Sequence, residues 1–364
     1  MKEDLRKLIT TLTGMIGVSG YEWEVANYIA KELKPYADEI ELRPNGNLIV
    51  TVKGEKAGPK VLYGAHMDEV GYVIKTIGED GFLYFGKVGG SSENILPGRK
   101  VLIQTEKGLI PGVIGTRSTH MLTEDEAKKM QSVKTSYVDI CAESKKQAME
   151  WGVTTGCQMV IESPCTPLAN PDYMTGKAAD CRALCAILTD AVKRIDKSEL
   201  CGTHYFVFTA MEEVTTAGIK AAVTYLSPDY CYIFDTVPCG DVPDIRPIDN
   251  PLKLGGDAAL MLAQHNSRYT NYAIAHPKLL AAARQAAKEN EIPVQEFAFV
   301  GAFYSNDGAG AINAGIGNAV LSIALTRRYS HSPTEVFCLN DCVAIEKLVL
   351  ALAKKPVDVN MLAE

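Results

Sequence analysis

Residues 60–68 read KVLYGAHMD, a short apolar run that ends on a histidine, a methionine and an aspartate. A run this brief, without polar alternation, predicts a strand buried on both faces, and such strands belong to sheets covered by helices. The pattern recurs downstream. HYFVFTA at 204–210 leads to Glu212 and Glu213, YCYIF at 230–234 to Asp235, and AVLSIA at 319–324 through a short loop to His331. Helical periodicity is expected over 182–195, 216–225 and 277–289, a further strand at 297–302, and a terminal helix from about 340. Strands alternating with helices imply an α/β sheet with helices on both faces.

Toward the amino terminus, Ser19-Gly20-Tyr21-Glu22 has the spacing of a capping box, and Val25, Ile29 and Leu33 then mark one helical face. The Asn45-Gly46 turn precedes NLIVTV at 47–52, a strand. Between 71 and 170 the texture differs. YVIKTI, FLYFGKV, KVLIQT and QMVIES are short β-like runs separated by glycine-rich turns, with one short helix expected within 123–130. At 364 residues the chain exceeds most single domains, so two units are expected. One α/β domain comprises 1–70 together with 171–364, and a small β-rich module over 71–170 is inserted in it.

A net charge of −7 without a long Lys or Arg run argues against a nucleic-acid surface. The opening MKEDLRKLITTLTGMIG interleaves charged and apolar residues, unlike a secretory leader. No stretch reaches the roughly 18 apolar residues of a membrane span, so a cytoplasmic protein is expected. The ten cysteines are then expected as reduced, mostly buried thiols.

In open α/β sheets ligands bind beyond the carboxyl ends of the strands, where residues distant in sequence converge. His66, Asp68, Asp180, Glu212, Glu213, Asp235 and His331 all stand at such ends or at a helix start. Each has a plain structural alternative, such as Asp180 as an N-cap or the glutamate pair as an acidic first helical turn. Their joint arrangement is what points to chemistry. Carboxylates with imidazoles form the donor set of hydrolytic zinc, cobalt or manganese. A two-metal centre also needs one bridging carboxylate. Of two adjacent glutamates, one can ligate while the other accepts a proton. Asp68, one residue beyond Met67, can hydrogen-bond the ring nitrogen of His66 that faces away from a metal. His120, His204, His265 and His276 lack such company and are expected to be structural.

GAHMDEVGYVIK, GKAADCRALCAI, FTAMEEVTTAG, FDTVPCGDVPD and RRYSHSPTEV occur in the order of, and closely resemble, the motifs of the glutamyl aminopeptidase family. That family contains tetrahedral, dodecameric aminopeptidases, and some members have been labelled endoglucanases. The resemblance implies a three-layer α/β/α peptidase domain with an inserted β-barrel-like domain that takes part in oligomer assembly. It implies two divalent ions per subunit, zinc in the first place, with cobalt or manganese possible. His66 and Asp235 would hold one ion, Glu213 and His331 the other, and Asp180 would bridge them. Glu212 would be the general base acting on a metal-activated water, with Asp68 supporting His66. Substrates would be short peptides with free amino ends, and subunits would self-associate into a dodecamer built from dimers. Alternatives are the same centre acting on a non-peptide N-acyl substrate, or an inactive metal-binding scaffold. A glycosidase reading is weaker, because its two carboxylates work without histidine-bound dications. The chain departs from the family pattern at Cys181, Thr215-Thr216, Asp257, Asn306 and Thr326-Arg327. None of these removes a proposed ligand, so they bear on specificity and rate.

Overall fold

The run KVLYGAH belongs to the strand Lys56–His66, which is buried continuously from Val61 to His66. The computed structural model describes residues 1–129, 131–266, 271–300 and 304–362. Side-chain alternation assigns the two faces of the sheet. Val61 and Tyr63 join a large core under the helices Lys2–Gly14, Ala179–Arg194 and Leu339–Ala353. Leu62 joins a second core beneath Ala217–Leu226 and Asp307–Ile312. The neighbouring strand divides in the same way, with Tyr230, Tyr232 and Phe234 on the first face and Cys231 and Ile233 on the second. A strand buried on both faces cannot alternate apolar with polar, which is why these runs read as continuous.

Lys56–His66 lies between Cys201–Thr209 and Tyr230–Pro238, parallel to both, and Ala319–Arg328 runs parallel along the far side of Tyr230–Pro238. The register sets Thr209 opposite His66 and Asp235 opposite Ala324, so four parallel strands deliver their carboxyl ends to one rim. Antiparallel strands extend this 12-stranded sheet on both sides, with Leu48–Lys53 and Glu39–Leu42 at one edge and Glu335–Cys338, Tyr173–Gly176 and Thr166–Pro167 at the other. Ala258–Asn266 branches off, antiparallel to Ala319–Arg328.

Residues between the first and second parts of this sheet form a closed antiparallel barrel. Its strands follow the order Gly71–Ile77, Leu83–Val88, Val138–Asp139, Gly108–Ile114, Arg99–Thr105 and Gln158–Ile161. Closure leaves no unpaired strand edge. The barrel packs its own core, including Ile74, Phe85, Val101, Ile103 and Met159. The mixed α/β fold with a β-barrel expected from the sequence is therefore present.

Some local expectations differ. Ser19 does not cap the helix Trp23–Leu33; its hydroxyl donates to Asp68 Oδ2 at 2.6 Å, and the residue preceding the helix is Glu22. Glu22 Oε1 instead accepts from the N–H groups of Gly20 and Met211. The long-range carboxylate partner outcompetes the local cap. The helix within 123–130 shortens to Glu124–Ala127, and the strand expected at 297–302 runs over Val294–Phe299. A further barrel strand, Gly108–Ile114, carries in its middle Pro111, which lacks a ladder donor and masks the strand in the sequence. All ten cysteines are free, most of them buried. Among the described residues no helix is long and apolar enough to cross a membrane.

Candidate metal centre

His66 closes its strand at the rim, while Asp235 lies inside Tyr230–Pro238 rather than beyond it. Glu212 and Glu213 follow the strand Cys201–Thr209, and His331 follows Ala319–Arg328. Asp180 stands at the start of Ala179–Arg194, but its backbone is non-helical (φ −81°, ψ 107°) and the peptide joining it to Cys181 is cis. The cap position falls on Ala178, and the Asp180 carboxylate meets His66, His331 and Arg327 instead of capping the helix.

Two groups of donor atoms result, His66 with Asp180, Cys181 and Asp235, and Asp180 with Glu213 and His331, each gathered within 4.8 Å. His66 Nε2 is 3.2 Å from Asp180 Oδ1, 3.7 Å from Asp235 Oδ1 and 3.9 Å from Glu212 Oε2. His331 Nε2 is 3.1 Å from Asp180 Oδ2 and 3.3 Å from Glu213 Oε2. The other oxygen of Glu213 is buried and has no hydrogen-bond partner among the described residues. His66, Asp180, Glu212, Glu213, Asp235 and His331 line one cleft of about 810 Å³, which Val214, Thr215, Lys220, Tyr304 and Ser305 also line.

Asp68 has a wider part than the sequence suggested. Its Oδ1 lies 3.4 Å from His66 Nδ1, and the same ring nitrogen donates to the Asp68 carbonyl at 3.1 Å. With Nδ1 as donor, Nε2 presents its lone pair to the other donors. The carboxylate of Asp68 also accepts from the backbone N–H groups of Glu212 and Glu213, both at 3.0 Å. One buried aspartate thus orients the imidazole and fixes the loop that carries the glutamate pair.

The electrostatics are those of anions crowded out of water. Burial pushes Glu213 up to about 8, helped by Asp180 and opposed by His331. Burial also lifts Glu212 well above the carboxylate range, with Asp235, Asp307 and Glu213 adding to it and His66 opposing. Asp235 moves up for the same first reason, then through the charge of Asp180. Asp180 itself is held well below its ordinary range: burial would raise it, but the Arg327 charge and hydrogen bonds from His331 and His66 prevail. Burial opposes charge on His331, yet Glu213 and Asp180 bring it up to about 9. Desolvated carboxylates facing one another are relieved by a bound cation.

Sequence reasoning did not find several contributors. Arg327 donates to Asp180 Oδ2 and, at 2.7 Å, to Glu335 Oε1. Glu335 Oε1 in turn accepts from the backbone N–H of His331 at 2.9 Å. The Gly90 carbonyl, just past the barrel strand Leu83–Val88, accepts from His331 Nδ1. A charged residue at the end of the apolar run AVLSIALTRR was the available signal for Arg327. Nothing local marks Gly90. His204 bridges Tyr63 and the Cys201 carbonyl, and burial lowers it to about 4, in keeping with a structural histidine.

Comparison with known proteins shows the family. A family model described as M42 glutamyl aminopeptidase matches residues 46–348. The lysyl aminopeptidase of Pyrococcus furiosus is 30% identical over 348 residues, covering 94% of this chain and 95% of its own. Among solved structures, the aminopeptidase APDkam598 of the archaeon Desulfurococcus kamchatkensis superposes with a TM-score of 0.91 at 28% identity, covering 98% of this chain and 96% of that one. The TET1 peptidase of Pyrococcus horikoshii, described as assembling into a tetrahedron or a large octahedral shell, gives 0.83 at 31% identity, covering 96% and 98%.

Proposed function

Because this chain belongs to the M42 glutamyl aminopeptidase family and is accordingly a hydrolase of the exopeptidase class, we propose that it removes amino-terminal residues from short peptides at the rim described above. The centre would hold two divalent ions, with His66 and Asp235 on one, Glu213 and His331 on the other, and Asp180 between them. The residues fit such ions on their own evidence. The second oxygen of Glu213 is buried without a partner among the described residues and so is left to serve as a ligand, and the nitrogen and oxygen donors suit zinc, with cobalt and manganese also compatible. When bound, such a pair polarises a carbonyl and lowers the pKa of water.

The remaining work falls to side chains. Glu212 lines the cleft 3.9 Å from His66 Nε2, placed to act as the base that takes a proton from the attacking water and returns it to the leaving amine. Asp68 holds the imidazole of His66 and the backbone of the glutamate pair in register, so the base and its neighbouring ligand cannot drift apart. The observation that carries this reading is the sharing of Asp180 by both donor groups at the end of a parallel sheet. Residues 71–170 would be the inserted domain, with the barrel taking part in self-association into a dodecamer built from dimers; the Pyrococcus horikoshii relative is itself described as assembling into a tetrahedron or a large octahedral shell. A cytoplasmic location goes with this reading.

The test is release of amino acids from unblocked and N-acetylated short peptides by metal-free protein, before and after zinc, cobalt or manganese is added. Stepwise, metal-dependent release from unblocked peptides alone is expected. Equal cleavage of the acetylated set would contradict it.

A further inference from the structure

The two oxygens of Asp180 are not equivalent. Oδ1 faces His66 Nε2, whereas Oδ2 faces His331 Nε2 and also accepts from Arg327 Nη2. Arg327 is held from two further sides, Nε donating to Thr236 Oγ1 at 2.5 Å and Nη1 to Glu335 Oε1 at 2.7 Å. Glu335 is itself fixed by the backbone N–H groups of His331 at 2.9 Å and Asp180 at 3.2 Å. The side chain of Arg327 is 4% exposed, so water screens its charge poorly.

We propose that Arg327 is a resident cation of the centre, which makes the Glu213–His331 position the weaker of the two for a divalent ion and keeps the ligands in place between one metal ion and the next. This rests on the metal-centre reading above. A guanidinium cannot give up its proton to make room, as an imidazolium can. It therefore stays charged beside any ion that approaches Oδ2, occupying part of that oxygen's acceptor capacity and repelling the ion. On the other side, the ion held by His66, Asp235 and Oδ1 meets a carboxylate oxygen that the guanidinium does not touch. Without a bound ion, the same guanidinium offsets the mutual repulsion of Asp180, Asp235 and Glu213. Arg327 acts through Asp180 and so is a positioning residue.

The experiment is a calorimetric titration of the metal-free, full-length protein with Co²⁺, with bound cobalt counted after dialysis. The native protein should show two steps differing about tenfold or more in Kd, and His331→Ala should lose the weaker one. Arg327→Met should tighten the weaker step about tenfold or more, leave the tighter one nearly unchanged, and lower the thermal midpoint of the metal-free protein. Arg327→Lys, which keeps the charge without the planar fork, should move the weaker step the same way by less, and it serves if the methionine variant does not fold. Two equal steps in the native protein, or a weaker step unmoved in a folded Arg327 variant, would overturn the proposal. Failure of the native protein to bind any divalent ion would instead remove the metal-centre reading, and this inference with it.

Discussion

His66 and Asp235 sit on adjacent parallel strands and are only 2% and 5% exposed, whereas Glu213 and His331 sit on loops, with the His331 side chain 31% exposed. The inner pair is placed by the sheet register itself. The outer pair is placed by secondary contacts: Asp68 on the Glu213 N–H, Glu335 on the His331 N–H, and the Gly90 carbonyl on the His331 ring. Their loops also carry left-handed residues other than glycine, Met211 at φ 61°, Tyr329 at 61° and His331 at 55°. Such conformations persist only where the surroundings over-determine them. Two pairs of like residue types are thus placed by different means, one by the sheet register and the other by tertiary contacts that leave the His331 side chain partly open to the cleft.

The largest effect should come from erasing the comparison. Asp180→Ala removes the carboxylate common to both halves, and peptide hydrolysis should fall by about 10³-fold or more with cobalt retention lost at both positions. Next come the halves taken singly. His66→Ala should weaken the tighter cobalt step by roughly 100-fold or more, beyond the range of support residues. His331→Ala should spare that step. Equal losses at both steps would show that the halves are not independent. Asp68→Asn keeps the shape but weakens the acceptor that orients His66 and tethers Glu212 and Glu213, so activity should drop roughly 10- to 100-fold with the fold retained by circular dichroism. Ser19→Ala should act least, removing one buried bond to a charged acceptor at a cost of about 1–3 kcal/mol, read as a lower denaturation midpoint.

The inner half was the more legible in the sequence. KVLYGA and YCYIF are unbroken apolar runs, so the strands and the polar residues that end or follow their apolar parts could be read directly. The outer residues, Glu213 and His331, were legible as types, but not what holds them. Ser19 matched a capping pattern because Glu22 lies at the right spacing; tertiary contacts with Asp68 and Met211 claimed both side chains instead. Gly89 and Gly90 fall in one of the glycine-rich turns, yet Gly89 has φ 79°, and a Cβ there would stand 2.8 Å from Val70 Cγ1, so the turn packs against the segment joining His66 to the barrel strand Gly71–Ile77. Arg327 and Glu335 pair across sheet neighbours, and no local spacing announces such a pair. Contacts between residues far apart in sequence are what a pattern reading cannot supply.

The central claim is that Glu212 moves the proton while its neighbour and the other ligands hold the ions. Its most direct test is Glu212→Gln, with bound cobalt counted in the same sample in which peptide hydrolysis is measured. The account predicts two ions per chain, as in the native protein, with turnover lowered by about 10²- to 10⁴-fold. Native turnover with both ions bound would contradict the role given to Glu212.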